Sequence, residues 1–103
     1  MRVKWLRTAL ANLHSEAEYI ARSNPAAADR VVQRILNAVE LLKAHPAMGR
    51  PGRVTGTREL VIPDSPYVLP YRVRGTAIEI IRVFHGARRR PKDFGDANPS
   101  PAT

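Results

Sequence analysis

Glu59, His85 and a group of arginines are the residues of this sequence whose types could do chemistry together. Glu59 offers a carboxylate, and His85 offers an imidazole that changes charge near neutral pH. Arg53, Arg58, Arg72, Arg82 and Arg88 are permanent cations in the same half of the chain. Gathered in one place, such groups could cleave RNA by attack of a 2′-hydroxyl. That reaction needs a base, a proton donor to the leaving oxygen, and cations to stabilise the phosphorane-like charge. Each residue also has a plainer use. Glu59 could form an ion pair with its neighbour Arg58, and His85 at a strand end could be a structural hydrogen-bonding residue. Arg58 and Arg82 could be buried partners of Glu59 and Glu79. Tyr67 and Tyr71 share a strand face and are read as core rather than as platforms for a base.

Other chemistries are set aside. The chain has no cysteine, so disulfides, thiolate metal sites and a cysteine nucleophile are excluded. His14, His45 and His85 are scattered without ligand spacing, and neither a metal nor a cofactor is expected. No apolar run approaches the roughly 18 residues that cross a bilayer, and the start, MRVKWLRTAL, has no signal-peptide core, so a cytoplasmic protein without a membrane role is expected.

The net charge of +8 is unevenly placed. Residues 50–92 carry ten Lys/Arg against three acids, a local +7, whereas residues 1–49 carry seven against four. Such a field favours an acidic partner and raises its association rate, without saying whether that partner is a phosphate backbone or a protein.

At 103 residues the chain is expected to be one domain over 1–94, with a Pro-rich polar tail at 95–103 read as disordered. Val3 to Leu6 reads as a first strand. Thr8 is read as the cap of a helix in which Ala9, Leu13, Ala17 and Ile20 form a stripe that ends near Ser23. Asn24-Pro25 opens a second helix, because Asn caps well and Pro fits the first helical position. Its stripe of Ala28, Val31, Val32, Ile35, Leu36, Val39 and Leu42 runs until His45-Pro46. Ala47 to Gly56 lacks periodicity and reads as a loop. Three strands follow, Thr57 to Ile62, Tyr67 to Arg74 and Ala77 to His85, the last two closed by a tight turn at Gly75-Thr76. Pro70 has no N–H to give the ladder, which predicts a bulge or locally unpaired backbone beside it.

These elements predict an α+β domain, β-α-α-β-β-β, with a helical hairpin on one face of a mainly antiparallel four-stranded sheet. Simple alternation places Ile78, Ile80, Arg82 and Phe84 on one side of the last strand, and Ala77, Ile81 and Val83 on the other. On that reading Arg72 and Arg82 need not converge. The face without helices is expected to keep an apolar patch rimmed by arginines, which suggests a protein partner.

The element order, Asn24-Pro25, HPAMGRPGR (His45 to Arg53), GTREL (Gly56 to Leu60), PYVLPYRV (Pro66 to Val73) and IIRVFHGARRRP (Ile80 to Pro91) together resemble the RelE/ParE toxin superfamily, closer to its ParE-like members. The resemblance spans roughly residues 3–91 and rests on the five motifs in order. It implies a growth-inhibiting, plasmid-stabilising toxin held by a co-encoded antitoxin, expected to be acidic and ParD-like with a ribbon-helix-helix half. Operator DNA would be met only through that antitoxin. Relatives of the RelE kind cleave messenger RNA on the ribosome, and those of the ParE kind poison DNA gyrase by binding. In the RNA-cleaving relatives an arginine precedes the Leu of the middle strand, where this chain has Val68, and the aromatic or basic group at their chain end has no clear match here. Both departures point to the gyrase-binding branch, with Arg50, Arg53, Arg72, Arg88, Arg89 and Arg90 as contacts to target or antitoxin. If the chain were a nuclease, Glu59, Arg58, Arg82 and His85 would be its catalytic set. A nucleic-acid-binding module that is not a toxin is a third reading, suggested by charge alone.

Overall fold

A computed structural model describes residues 1–86. The tail at 95–103 and Arg88, Arg89 and Arg90 lie outside the described residues. Within them the chain runs β1 (Arg2–Trp5), α1 (Arg7–Ala21), α2 (Pro25–Leu42), β2 (Arg50–Pro51), β3 (Arg58–Val61), β4 (Tyr67–Arg74), β5 (Ala77–Ile80) and β6 (Phe84–His85). This is the expected α+β class with six strands in place of four, in the order β1-β5-β4-β3-β2 with β6 beside β4. The β1–β5 pairing is parallel and all others are antiparallel. No helix among the described residues is long and apolar enough to cross a membrane.

The helical hairpin forms where Asn24-Pro25 places it. Asn24 accepts a hydrogen bond from the Ala27 N–H at 3.0 Å and Pro25 takes the first helical position. α1 starts differently from expectation. Leu6, not Thr8, is its N-cap, and no side chain caps it. The reason lies in the sheet: the Leu6 N–H donates to the Ile80 carbonyl at 3.0 Å, while the Leu6 carbonyl accepts from the Leu10 N–H at 3.1 Å. Leu6 thus ends the strand and begins the helix, and Thr8 is left exposed in the first turn.

One face of the sheet buries Leu60, Tyr67, Leu69, Tyr71, Ile78, Ile80 and Val83 against Ala9, Ile35, Val39 and Leu42 of the helices. The expected loop at 47–56 contains β2, whose Arg50 lies opposite Glu59 and Pro51 opposite Arg58. A strand of two residues has no periodicity to reveal it.

The last expected strand is broken. Val68 faces Phe84 and Tyr71 faces Ile80, so two residues of β4, Leu69 and Pro70, oppose three, Ile81, Arg82 and Val83. This is a β-bulge. Pro70 has no N–H, but its carbonyl accepts the Ile81 N–H at 2.9 Å. The Val83 N–H, turned off the ladder, donates to Asn12 Oδ1 of α1 at 3.1 Å.

The extra residue reverses every face after it. Val83 joins Ile78 and Ile80 in the core, whereas Phe84 shares the opposite face with its cross-strand partner Val68. The alternation that grouped Phe84 with Ile78 and Ile80 is therefore corrected from residue 82 onward, while Ile81 keeps the side it was assigned.

Candidate functional site

The sheet face without helices carries two cross-strand rows. Arg50, Glu59 and Pro70 are in register across β2, β3 and β4. Arg72, Glu79 and Lys4 are in register across β4, β5 and β1. Little apolar surface is left beside them: Val68 and Ala77 are buried, and Val61 and Val54 are the exposed exceptions. The apolar patch expected on this face is thus small, and ion pairs occupy most of it.

Both carboxylates are buried and paired. Glu59 is 5% exposed, and its Oε1 accepts from Arg50 Nε at 3.0 Å and Nη2 at 2.9 Å. Arg72 Nε donates to Glu79 Oε1 at 2.6 Å, with Arg74 Nε 3.9 Å away. The Arg72 hydrogen bond holds the Glu79 carboxyl below its usual range, and the charges of Arg72, Arg74 and Lys4 add to this against the cost of burial. The pairings differ from those expected, since Glu59 takes Arg50 rather than Arg58, and Glu79 takes Arg72 rather than Arg82.

Between the rows lies a cavity of 220 Å³ lined by Arg53, Val54, Thr57, Glu59, Pro70, Arg72, Ile81 and Arg82. Four of the candidate residues, Arg53, Glu59, Arg72 and Arg82, thus meet. The bulge brings Arg82 there, by turning it from the side that simple alternation assigned it. The loop that carries Arg53 is held by Gly52, whose N–H donates to the Thr57 carbonyl at 2.9 Å, and by Thr57, which bonds the Val54 carbonyl. A Cβ at Gly52 would stand 2.3 Å from Thr57 Oγ1, so the loop closes this tightly only with glycine.

Two candidates lie elsewhere. Arg58 is opposite Tyr71 on the helix-facing side and donates through Nη1 to the Gly49 carbonyl at 2.8 Å. It is a strut for the loop between α2 and β2. Tyr71 does the same work from below: its hydroxyl donates to the Pro46 carbonyl at 2.8 Å and accepts the Gly49 N–H at 2.9 Å. His85 is paired with Tyr67 and so also faces the helices. Its ring meets Tyr67 edge-on at 5.2 Å, its Nδ1 is buried with no hydrogen-bond partner among the described residues, and the Tyr67 hydroxyl donates to Glu16 at 2.9 Å. The sheet therefore separates His85 from Glu59.

Sequence reasoning missed Asn12, Val54, Thr57 and Ile81 at this site. Nothing in the sequence marks Asn12, a polar residue on an amphipathic helix, as the acceptor for a strand amide far along the chain. Pro70 was legible as an irregularity, which is the signal from which Ile81 and Arg82 could have been placed.

The family described as "ParE toxin of type II toxin-antitoxin system, parDE" matches residues 3–90. A putative toxin, Y4kP, of Sinorhizobium fredii is 45% identical over 91 residues, covering 88% of this chain and 94% of that protein. Toxin RelE2 of Caulobacter vibrioides is 38% identical over 86 residues, covering 84% and 96%. Among solved structures, a chain of the "Chromosomal ParDE TA system from P. aeruginosa" superposes with a TM-score of 0.74 at 35% identity, covering 82% of this chain and 95% of that one.

Proposed function

This chain belongs to the ParE toxin family of type II toxin-antitoxin systems, within the RelE/ParE superfamily, and from that membership we propose that it arrests growth by binding DNA gyrase rather than by cutting RNA. It acts in the cytoplasm, is neutralised by a cognate acidic antitoxin of the ParD kind, and reaches operator DNA only through that antitoxin. One observation carries the choice of binding over catalysis: the base candidate and the proton donor are on opposite faces of the sheet. Glu59 opens into the arginine cavity, tied to Arg50, and His85 packs on Tyr67 under the helices. Among the described residues, no histidine or tyrosine lines the cavity to protonate a leaving oxygen.

Purified toxin added at micromolar concentration to a gyrase supercoiling assay is expected to block supercoiling, while pulse labelling shows translation continuing at first. An inactive toxin in that assay, with translation stopped at once, would overturn the reading.

A second reading has its own observation. Arg53, Glu59, Arg72 and Arg82 do meet in one cavity, as a ribosome-dependent endoribonuclease would require of its base and phosphate clamp. Under that reading primer extension maps cuts within codons, and Glu59→Ala abolishes them.

A further inference from the structure

We propose that the free edge of β1 is where this toxin grips its target: an extended acidic segment of gyrase adds as a strand beside β1, sending apolar side chains into the groove between β1 and α2 and carboxylates toward Arg2 and Lys4. This rests on the reading that the chain arrests growth by binding gyrase, and it names the surface that does so.

Backbone geometry leaves this edge open. β1 stands at one end of the sheet and, among the described strands, pairs with β5 alone. The Arg2 N–H donates to the Thr76 carbonyl at 3.3 Å and the Leu6 N–H to the Ile80 carbonyl at 3.0 Å, so the even-numbered residues turn their backbone toward β5. In a parallel pairing the N–H and C=O of one residue point the same way and those of its neighbours point the other way. The N–H and C=O groups of Val3 and Trp5 therefore point off the sheet. The opposite edge is poorer, since β2 has only two residues and one of them is Pro51.

Three features select the occupant. Donors and acceptors alternating at strand spacing match another peptide backbone, whereas phosphates, which only accept, leave both carbonyls unmatched. Residues opposite Val3 and Trp5 take the helix side, where a groove of 340 Å³ is lined by these two half-buried side chains, buried Val39 and the 38% exposed Leu36. Apolar side chains entering there would remove Leu36 from water. Residues opposite Arg2 and Lys4 take the open side, beside two exposed cations, so carboxylates fit there. A second copy of this chain fits less well. Pairing Val3 of one copy with Trp5 of the other sets Lys4 directly against Lys4, a destabilising like-charge pair.

The test measures inhibition of the gyrase holoenzyme by the full chain, with its Kd for gyrase read by surface plasmon resonance. Val3→Pro removes an outward N–H that the sheet does not use, a place where an edge strand tolerates proline. Leu36→Lys puts a charge into the groove from an exposed helix position. Both variants, with the circular dichroism of the parent, should raise the half-inhibitory concentration and the Kd by about tenfold or more, as loss of a docked main-chain hydrogen bond or apolar contact does. Leu41→Lys, on the flank of α2 beside Pro63, should change neither. A peptide alternating valine and glutamate should compete with gyrase, and one alternating valine and lysine should not. Undiminished inhibition by both folded variants, an equal loss with Leu41→Lys, or equal competition by the lysine peptide would each overturn the proposal. So would loss of antitoxin binding with gyrase inhibition retained, which gives the edge to the antitoxin. A parent dimer in analytical ultracentrifugation that both variants dissociate gives it to a second copy and overturns the proposal too. A parent that leaves supercoiling intact removes the gyrase reading and this surface with it, whereas a parent that inhibits no better than both variants removes this surface alone.

Discussion

Tyr71 shows how much of this site depends on single polar atoms in otherwise apolar surroundings. Its ring is fully buried, and its hydroxyl bridges the Pro46 carbonyl and the Gly49 N–H. Gly49 is held so close that a Cβ there would stand 2.6 Å from the Tyr71 ring and 2.8 Å from the Glu59 carbonyl. Tyr71→Phe keeps the packing but strands a buried amide and a carbonyl, which costs about 1–3 kcal/mol. Urea denaturation should show a lower midpoint with an unchanged slope. Glu79 gives a second expectation at this scale. Its carboxyl is depressed from 4.5 by Arg72, so the stability it contributes is fully present above 4.5 and is lost as pH falls through its lower folded value. Glu79→Gln should therefore lose less stability than the parent when both are titrated from neutral pH into that acid range. An equal loss in the two would show that the Arg72 pair does not contribute to acid sensitivity.

Among the elements, the bulge decides which side chains share the cavity. The helical hairpin, the Gly75-Thr76 turn and the irregularity at Pro70 were all legible, because capping, φ preference and a missing N–H are local properties of the residues concerned. What was not legible was the consequence of Pro70. Period-two alternation carried unbroken along Ala77 to His85 put Arg82 with the core and His85 with the open face. One extra residue exchanges them. The β2 strand was hidden for a different reason, since two residues show no periodicity and their pairing is set by contacts that the sequence does not mark, Gly49 with Tyr71 and Arg50 with Glu59. The bulge in turn depends on α1, because Asn12 supplies the acceptor that β4 cannot give to Val83. Asn12→Ala should cost about 1–3 kcal/mol by leaving that amide unsatisfied. Native-state hydrogen exchange would distinguish this from a loss of α1 packing: the Val83 amide should lose protection more than amides of α1 itself. If both lose protection equally, Asn12 supports the helix and not the bulge.

For the whole molecule, the separation of charge and core is the governing feature. The apolar residues of the sheet are spent on the side covered by α1 and α2, and the opposite side is left to arginines and their two buried carboxylates. Those pairs neutralise only part of the excess, so a chain of net +8 presents this face as a basic surface to anything that approaches. Long-range attraction of that kind acts mainly on encounter, and it is screened over about 8–10 Å at ordinary salt. Apolar contacts made after docking are screened far less. With an acidic antitoxin as partner, raising sodium chloride should therefore slow association steeply while dissociation changes little. Stopped-flow mixing at several salt concentrations measures both rates. A dissociation rate as salt-sensitive as the association rate would mean that the complex is held by exposed charge alone.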